Sequence, residues 1–265
     1  MYDMFDKFFQ TFGILSFSQR INQQKQTSCQ SAKRVEMKTR PNKEAIMLHE
    51  IYLSVQGEGA HAGLPCTFVR TQGCSLNCTW CDTKPAIPFR QSGTGTWLGT
   101  AHSIGTIVKE VMRHNCKMVE ITGGEPLDQP AVPALITELC DRGFKVLVET
   151  AGHRDISVID SRAHIIMDLK PPASGMTRRM RWQNLAALKP SDEIKFVLAD
   201  KGDFEWAAGV ISGNDFCTDA NVLMSAVHRQ LDPQELVELL LDSGIAARFQ
   251  LQLHKYVWGV ECSGV

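Results

Sequence analysis

From Leu48 onward, strand-length apolar runs alternate with helix-length patterns, and this rhythm restricts the fold more than any other feature of the chain. The segments LHEIYLSV, CTFVRT, MVEIT, FKVLVET, HIIMDL, EIKFVL, NVLMS and RFQLQL read as strands, several of them short continuous apolar runs. Between them, SIGTIVKEVMRHN, AVPALITELCDRG, DFEWAAGVISG and DPQELVELLLDSG read as helices. Gly143 and Gly244 fall where two helices should stop, and Asp232 followed by Pro233 makes an N-cap with proline at the first turn. Strand alternating with helix predicts an α/β chain with a parallel sheet and helices on its outer face. In such sheets functional residues gather at the carboxyl ends of the strands. A length of 265 residues suits one domain of ordinary or slightly large size, and 43% apolar residues supply ample core material.

One candidate site is explicit. In GCSLNCTWCDT, three residues separate Cys74 from Cys78 and two separate Cys78 from Cys81. Even fully extended, the longer gap spans only about 13 Å, so one small loop must carry all three thiols. Gly73, Ser75, Asn77 and Thr79 are the small, turn-prone residues that such a loop needs. Four thiolates would close a tetrahedral zinc site or saturate an iron–sulfur cluster. Three on a four-iron, four-sulfur cube leave one iron open for chemistry. Zinc would need a fourth ligand, and the closest histidines, His61 and His102, are not at zinc-finger spacing. The spacing favours the cluster.

A net charge of −1 gives no reason to expect nucleic acid or an anionic membrane as partner. No stretch approaches eighteen uninterrupted apolar residues, which excludes a spanning helix. Cys66, Cys116, Cys140 and Cys217 lie in apolar periodic segments, the usage of a reducing cytoplasm rather than a disulfide framework. The first 46 residues differ from the rest: an amphipathic patch, MYDMFDKFFQTFGILSF, precedes a polar, net basic run. Asp3, Asp6 and Lys7 interrupt the patch and no signal-type cleavage site follows, which argues against a targeting peptide. The expectation is a disordered extension over residues 1–46, Met47 as a natural start, and a catalytic domain over residues 47–265.

Two more motifs follow strand patterns. In SVQGEGAHAG, Gly57, Gly59 and Gly63 let the backbone approach a ligand, and Gln56 offers a donor and acceptors; an ordinary loop is the alternative. In Thr122-Gly123-Gly124-Glu125-Pro126 the glycines expose backbone groups, and Glu125 could engage an ammonium or a ribose hydroxyl. This second motif and the cysteine loop are expected on the same rim of the sheet.

GCSLNCTWCDT together with ITGGEPL resembles the radical S-adenosylmethionine superfamily, which uses a C-x3-C-x2-C loop and a GGE motif. With SVQGEG, FVRTQGC, CDT, MDLKPP, EIKFVL and LQLHKY added, the chain from about Leu48 to about Trp258 is similar to the 7-carboxy-7-deazaguanine synthase family. The resemblance implies an incomplete parallel β/α barrel of the radical S-adenosylmethionine type. It also implies ring contraction of 6-carboxy-5,6,7,8-tetrahydropterin to 7-carboxy-7-deazaguanine, with loss of ammonia, in queuosine and 7-deazapurine biosynthesis. The implied cofactors are one 4Fe-4S cluster per subunit, S-adenosylmethionine and Mg2+. The implied partners are the small pterin substrate, an electron donor such as flavodoxin or ferredoxin, and a second subunit in a homodimer. The alternative is another superfamily member such as a glycyl-radical activase. Such enzymes often carry extra cluster cysteines, and the remaining cysteines here form no second close group.

By this resemblance Cys74, Cys78 and Cys81 hold the cluster, and S-adenosylmethionine chelates the open iron. One electron then breaks its carbon–sulfur bond to give methionine and a 5′-deoxyadenosyl radical. Gly124 would present backbone to the methionine amino group, and Asp168, Leu169 and Lys170 would contact the nucleoside. Val55, Gln56, Gly57, Arg70 and Thr122 are the matching substrate residues. The arginine fork suits a planar carboxylate, and a surface ion pair is the other reading of Arg70. Thr83 matches the residue that binds magnesium, an ion that takes much of its shell from water and substrate. His254, closing RFQLQLH, would stand close to the substrate; otherwise it is a structural histidine. No side chain receives an acid–base role from sequence.

Overall fold

The computed structural model describes residues 44–87, 99–213, 221–259 and 264. The expected extension, as far as residue 43, and Cys217 lie outside the described residues. The strands are β1 (Ala45–Val55), β2 (Pro65–Thr71), β3 (Thr100–Ser103), β4 (Met118–Gly123), β5 (Lys145–Thr150), β6 (His164–Asp168), β7 (Glu193–Leu198), β8 (Asn221–Ala226) and β9 (Arg248–Phe249). The helices are α1 (Ile104–Arg113), α2 (Val132–Asp141), α3 (Lys201–Ser212), α4 (Pro233–Ser243) and α5 (Leu253–Val257).

One sheet runs in the order β3-β1-β2-β4-β5-β6-β7-β8-β9. From β2 through β9 every neighbouring pair is parallel, and β3 and β9 remain unjoined edges, so the barrel is incomplete. Helix ends follow local chemistry. Ser103 caps α1 by accepting from the Thr106 N–H, Asp200 caps α3 through Asp203, and Asp232 caps α4 through Gln234 with Pro233 in the first turn. Gly244 ends α4 in the left-handed conformation at φ 65°.

The sheet's two faces differ because side chains alternate along each strand. Val69, Val119, Ile121, Val146, Val148, Ile165, Met167, Ile194 and Phe196 join Ile107, Val111, Leu135, Ile136, Leu139, Phe204 and Leu236 of the helices in one large core. Ile46, fully buried in β1, belongs to it as well. On the other face Cys66, Phe68, Met118, Leu147 and Ile166 form a smaller apolar floor, with Tyr52 stacked on Phe68 at 5.1 Å. The intervening positions on that face carry charge.

Three features differ from the sequence reading. β3 was not anticipated, because four residues reading Thr-Ala-His-Ser give no apolar run; its pairing with β1 defines it. The segment RFQLQL holds only two strand residues at the sheet edge. The chain then turns into α5, so His254 sits on a short helix rather than at a strand end. β1 is antiparallel to β2, with Val55 opposite Pro65. The loop after β1 therefore leaves from the rim opposite the cysteine loop, not from the carboxyl-end rim of the parallel strands.

Leu135, on α2, is fully buried between helix and sheet. Leu135→Ala should lower stability by about 2–5 kcal/mol, read from urea unfolding, because the rigid sheet cannot collapse into the cavity.

Candidate active site

The cysteine loop is built from backbone bonds on several sides. Gly73 N–H donates to Ala86 O at 2.6 Å, Cys74 N–H to Ile87 O at 3.0 Å, and Glu125 N–H to Gly73 O at 2.9 Å. Leu76 is 3% exposed and pins the loop to the main core, while Thr79 reaches Ala173 O through its hydroxyl at 2.9 Å. Gly124 lies so close to the loop that a Cβ there would stand 2.1 Å from Gly73 O. Gly123 has φ 135° against Thr71, and both glycines are required by this contact.

Cys74, Cys78 and Cys81 are free thiols, each partly exposed. Burial pushes the Cys74 thiol up to about 12 and raises that of Cys78; the charge of one cysteine raises the next, Cys74 sensing Cys78 and Cys78 sensing Cys81. Among the described residues no three His, Cys, Asp or Glu side chains converge as ligands of a single ion. Three neighbouring thiols without a fourth partner fit a polynuclear cluster, in which each thiolate takes a different iron. A bound cation would displace the thiol protons that burial otherwise retains.

Around this loop the structure brings together most of the expected residues. Thr83 Oγ1 lies 3.7 Å from Cys81 Sγ and 3.4 Å from Gly123 O. Lys170 Nζ pairs with Asp168 Oδ2 at 2.8 Å, and its positive charge favours the Cys78 thiolate. Leu169 is fully buried in the helix-side core, and its N–H donates to Lys195 O at 2.9 Å. Glu125 is not free for a ligand. It is fully buried, and its carboxylate accepts from Leu127 N–H, Thr150 Oγ1 and Ala151 N–H, which ties the β4 turn to β5.

The charged face forms a cup. Lys195, 4% exposed, points into it from β7 and meets Glu58 Oε2 at 3.0 Å, Glu149 Oε1 in a shorter contact and Asp168 Oδ2 at 3.7 Å. Burial would raise Glu149, but Lys195 outweighs it and holds the carboxyl down to about 2. Thr122 Oγ1 donates to Glu149 Oε2 at 2.9 Å. Among the described residues Glu120 has no cation in ion-pair contact; burial first, then the Glu149 charge, push it up to about 8 against the Gln56 hydrogen bond and the more distant Lys195 charge. Arg70 donates from Nε to Glu50 at 2.9 Å and from Nη2 to the Tyr52 hydroxyl at 2.7 Å, a mostly buried arrangement in place of the surface ion pair.

The loop after β1 closes the cup from the opposite rim. Gln56 donates through Nε2 to Glu120 and accepts Gly57 N–H at 2.8 Å; Ala60 N–H reaches Glu193 at 2.6 Å, and Gly59 N–H reaches Gln250 at 2.7 Å. Gly57 admits α5: a Cβ there would meet His254 Nδ1 at 2.3 Å, and Leu253 N–H bonds Gly57 O at 3.0 Å. Val55, partly buried, only leads into this loop. Burial lowers the His254 pKa, so its ring favours the neutral form. Sequence reasoning missed Glu58, Glu120, Glu149 and Lys195. For Glu120, Glu149 and Lys195 the signal is a lone charge inside a strand, as in VEI, VET and IKF, whereas Glu58 lies in the loop after β1.

Glu120 makes stability depend on pH. Its folded pKa is raised, so the folded state holds the proton that the unfolded chain releases above about 4.5; the penalty grows from there to about 8. Glu120→Gln should match the native protein near pH 4 and gain stability relative to it as pH rises to 8, measured by denaturant unfolding across that range.

Residues 68–171 match the model of the Radical SAM superfamily. A 7-carboxy-7-deazaguanine synthase from Chlorobaculum tepidum is 38% identical over 221 residues, covering 82% of this chain and 96% of the relative. Another from Koribacter versatilis is 38% identical over 236 residues, covering 83% of this chain and 100% of the relative. The crystal structure of QueE from Escherichia coli shares the fold, with a TM-score of 0.63 at 23% identity over 79% of this chain and 95% of that one. With this identity over nearly the whole length of those relatives, and with the three-cysteine loop beside its glycine turn, the chain belongs to the 7-carboxy-7-deazaguanine synthase family of the radical S-adenosylmethionine superfamily.

Proposed function

We propose that this chain contracts 6-carboxy-5,6,7,8-tetrahydropterin to 7-carboxy-7-deazaguanine, with loss of ammonia, in queuosine and 7-deazapurine biosynthesis. The observation that carries this reading is the meeting of Cys74, Cys78 and Cys81 with Gly124 on one rim, next to a buried cup of paired charges. Cys74, Cys78 and Cys81 are the ligands for the 4Fe-4S cluster. When bound, the cluster and S-adenosylmethionine supply the one-electron chemistry that starts a radical reaction.

The chain's own residues do the binding and positioning. Gly124, packed against Gly73, presents its backbone to the methionine end of the cofactor, and Asp168, Leu169 and Lys170 border the nucleoside end. In the cup, a planar pterin would lie over the apolar floor, its polar edge toward Gln56, Thr122 and the group around Lys195. Arg70 retains its Nη1 donors for a carboxylate after satisfying Glu50 and Tyr52. His254 and Gly57 close the side formed by α5. Thr83 contributes its hydroxyl to Mg2+, with substrate and water completing the shell. An electron donor of the flavodoxin or ferredoxin kind and a homodimeric state complete the proposal; both rest on the family resemblance. We assign the chemistry to β1 onward and none to the residues ahead of it.

The test is anaerobic reconstitution with iron and sulfide, followed by incubation with the carboxytetrahydropterin, Mg2+ and S-adenosylmethionine. A deazapurine chromophore is expected from the native protein. Cys74→Ala, Cys78→Ala and Cys81→Ala should each abolish S-adenosylmethionine cleavage, whereas Cys140→Ala should retain it. Arg70→Ala should weaken pterin binding about ten- to a hundred-fold with cluster content unchanged, and Thr83→Ala should raise the Mg2+ requirement. Cleavage of S-adenosylmethionine without any deazapurine would leave the superfamily chemistry standing and remove the substrate.

A further inference from the structure

Ser75, between the first two cysteines, is gripped by residues that the reaction outlined above leaves unused. Its N–H donates to Asp128 Oδ2 at 2.6 Å and its hydroxyl to Oδ1 at 3.1 Å. Arg154 donates from Nε to the same Oδ1 at 2.5 Å and from Nη2 to Ser75 Oγ at 3.3 Å. His153 Nε2 stands 2.8 Å from Ser75 Oγ and 3.6 Å from Asp128 Oδ1, while its Nδ1 lies 3.6 Å from Glu125 Oε2. The turns after β2, β4 and β5 thus converge on one serine.

Burial makes this contact matter. The side chains of Asp128 and His153 are each 2% exposed. An exposed ion pair of the same shape would contribute little. Here, withdrawing the loop would strand a buried carboxylate that has lost two of its donors, a far larger penalty. Burial would raise the Asp128 carboxyl, yet the His153 ring 3.6 Å away, with hydrogen bonds from Arg154 and the Ser75 N–H, holds it below the usual range. A cluster that binds through a short loop loses affinity to the entropy of ordering that loop, and outer partners that order it in advance remove part of this cost.

We propose that Asp128, braced by Arg154 and His153, is the positioning residue of the cysteine loop: through Ser75 it sets Cys74 and Cys78 before the cluster arrives and holds the cluster against loss. This rests on the assignment of the three cysteines to a cluster. The test uses the full chain, reconstituted anaerobically, as native protein and as Asp128→Asn, Asp128→Ala, Arg154→Gln and Ser75→Ala. The readouts are iron bound per chain after gel filtration, the rate at which an iron chelator strips the cluster, and the paramagnetic spectrum and reduction potential of the reduced centre. Chelator stripping about ten- to a hundred-fold faster is expected for Asp128→Ala, with a smaller increase for Asp128→Asn and a shifted potential in both. Arg142→Ala, which removes an exposed ion pair with Glu138 on α2, is the control and should leave every readout unchanged. Arg154 is 47% exposed, so Arg154→Gln keeps the test open should Asp128→Ala fail to fold. Native stripping rates and potential in Asp128→Asn, Arg154→Gln and Ser75→Ala would overturn the clamp alone. A native protein that takes up no cluster would overturn the cofactor assignment, and the clamp with it.

Discussion

A single buried ammonium organises the polar half of this molecule. Lys195 lies in the middle of β7, where a parallel strand would ordinarily be apolar, and meets carboxylates from the loop after β1, from β5 and from β6. Without it, three acidic groups would share one cavity, and Glu149, which burial drives toward its protonated form, would lose the charge that counters burial. With it, Glu149 stays ionised and Thr122 has an acceptor. Breaking a buried pair by removing one partner typically costs about 3–5 kcal/mol, so the arrangement is held as a set rather than residue by residue. Glu120 marks where the set ends: among the described residues no cation pairs with it closely, the Lys195 charge acts only from a distance, and it retains its proton to higher pH.

The sheet separates two tasks by face. Alternation along the strands sends Val119, Ile121, Val146, Val148, Ile165 and Met167 toward the helices, and Glu120, Thr122, Glu149 and Asp168 into the cup. The helix side supplies the rigidity that fixes strand ends in space. The cup side is free to carry groups that destabilise the fold, because their cost is offset by packing behind them. The cysteine loop joins both sides, with Leu76 in the dry core and Cys74 and Cys78 packed partly buried against it.

Much of this was legible from the letters. Four helices came from period and caps, since Asp232 and Gly244 act through local bonds. The cysteine loop was readable because ligands of one cluster must lie close along the chain. What escaped has a common cause: it depends on contacts distant in sequence. β3 exists only by pairing with β1, β9 is shortened at an edge, and the direction of β1 follows from its pairing with β2. Lys195 and Glu149 are 46 residues apart, and nothing local says that they meet. Glu125 was misread for the same reason, because its partners Thr150 and Ala151 come from the next strand.

The reversed direction of β1 has a consequence for how this architecture can change. The residues around the cysteines enter from one end of the parallel strands, while Gln56, Gly57 and Glu58 enter from the other on a loop closed by its own bonds between Gln56 and Gly63 and between Gln56 and Leu64. Lengthening or rewriting that loop leaves the opposite rim in register. Changes in that loop therefore alter one wall of the cup while the strand ends that carry the cysteine loop stay where they are. Glu58 is the residue such changes must keep, because through Lys195 it is tied to Asp168 at the far strand end.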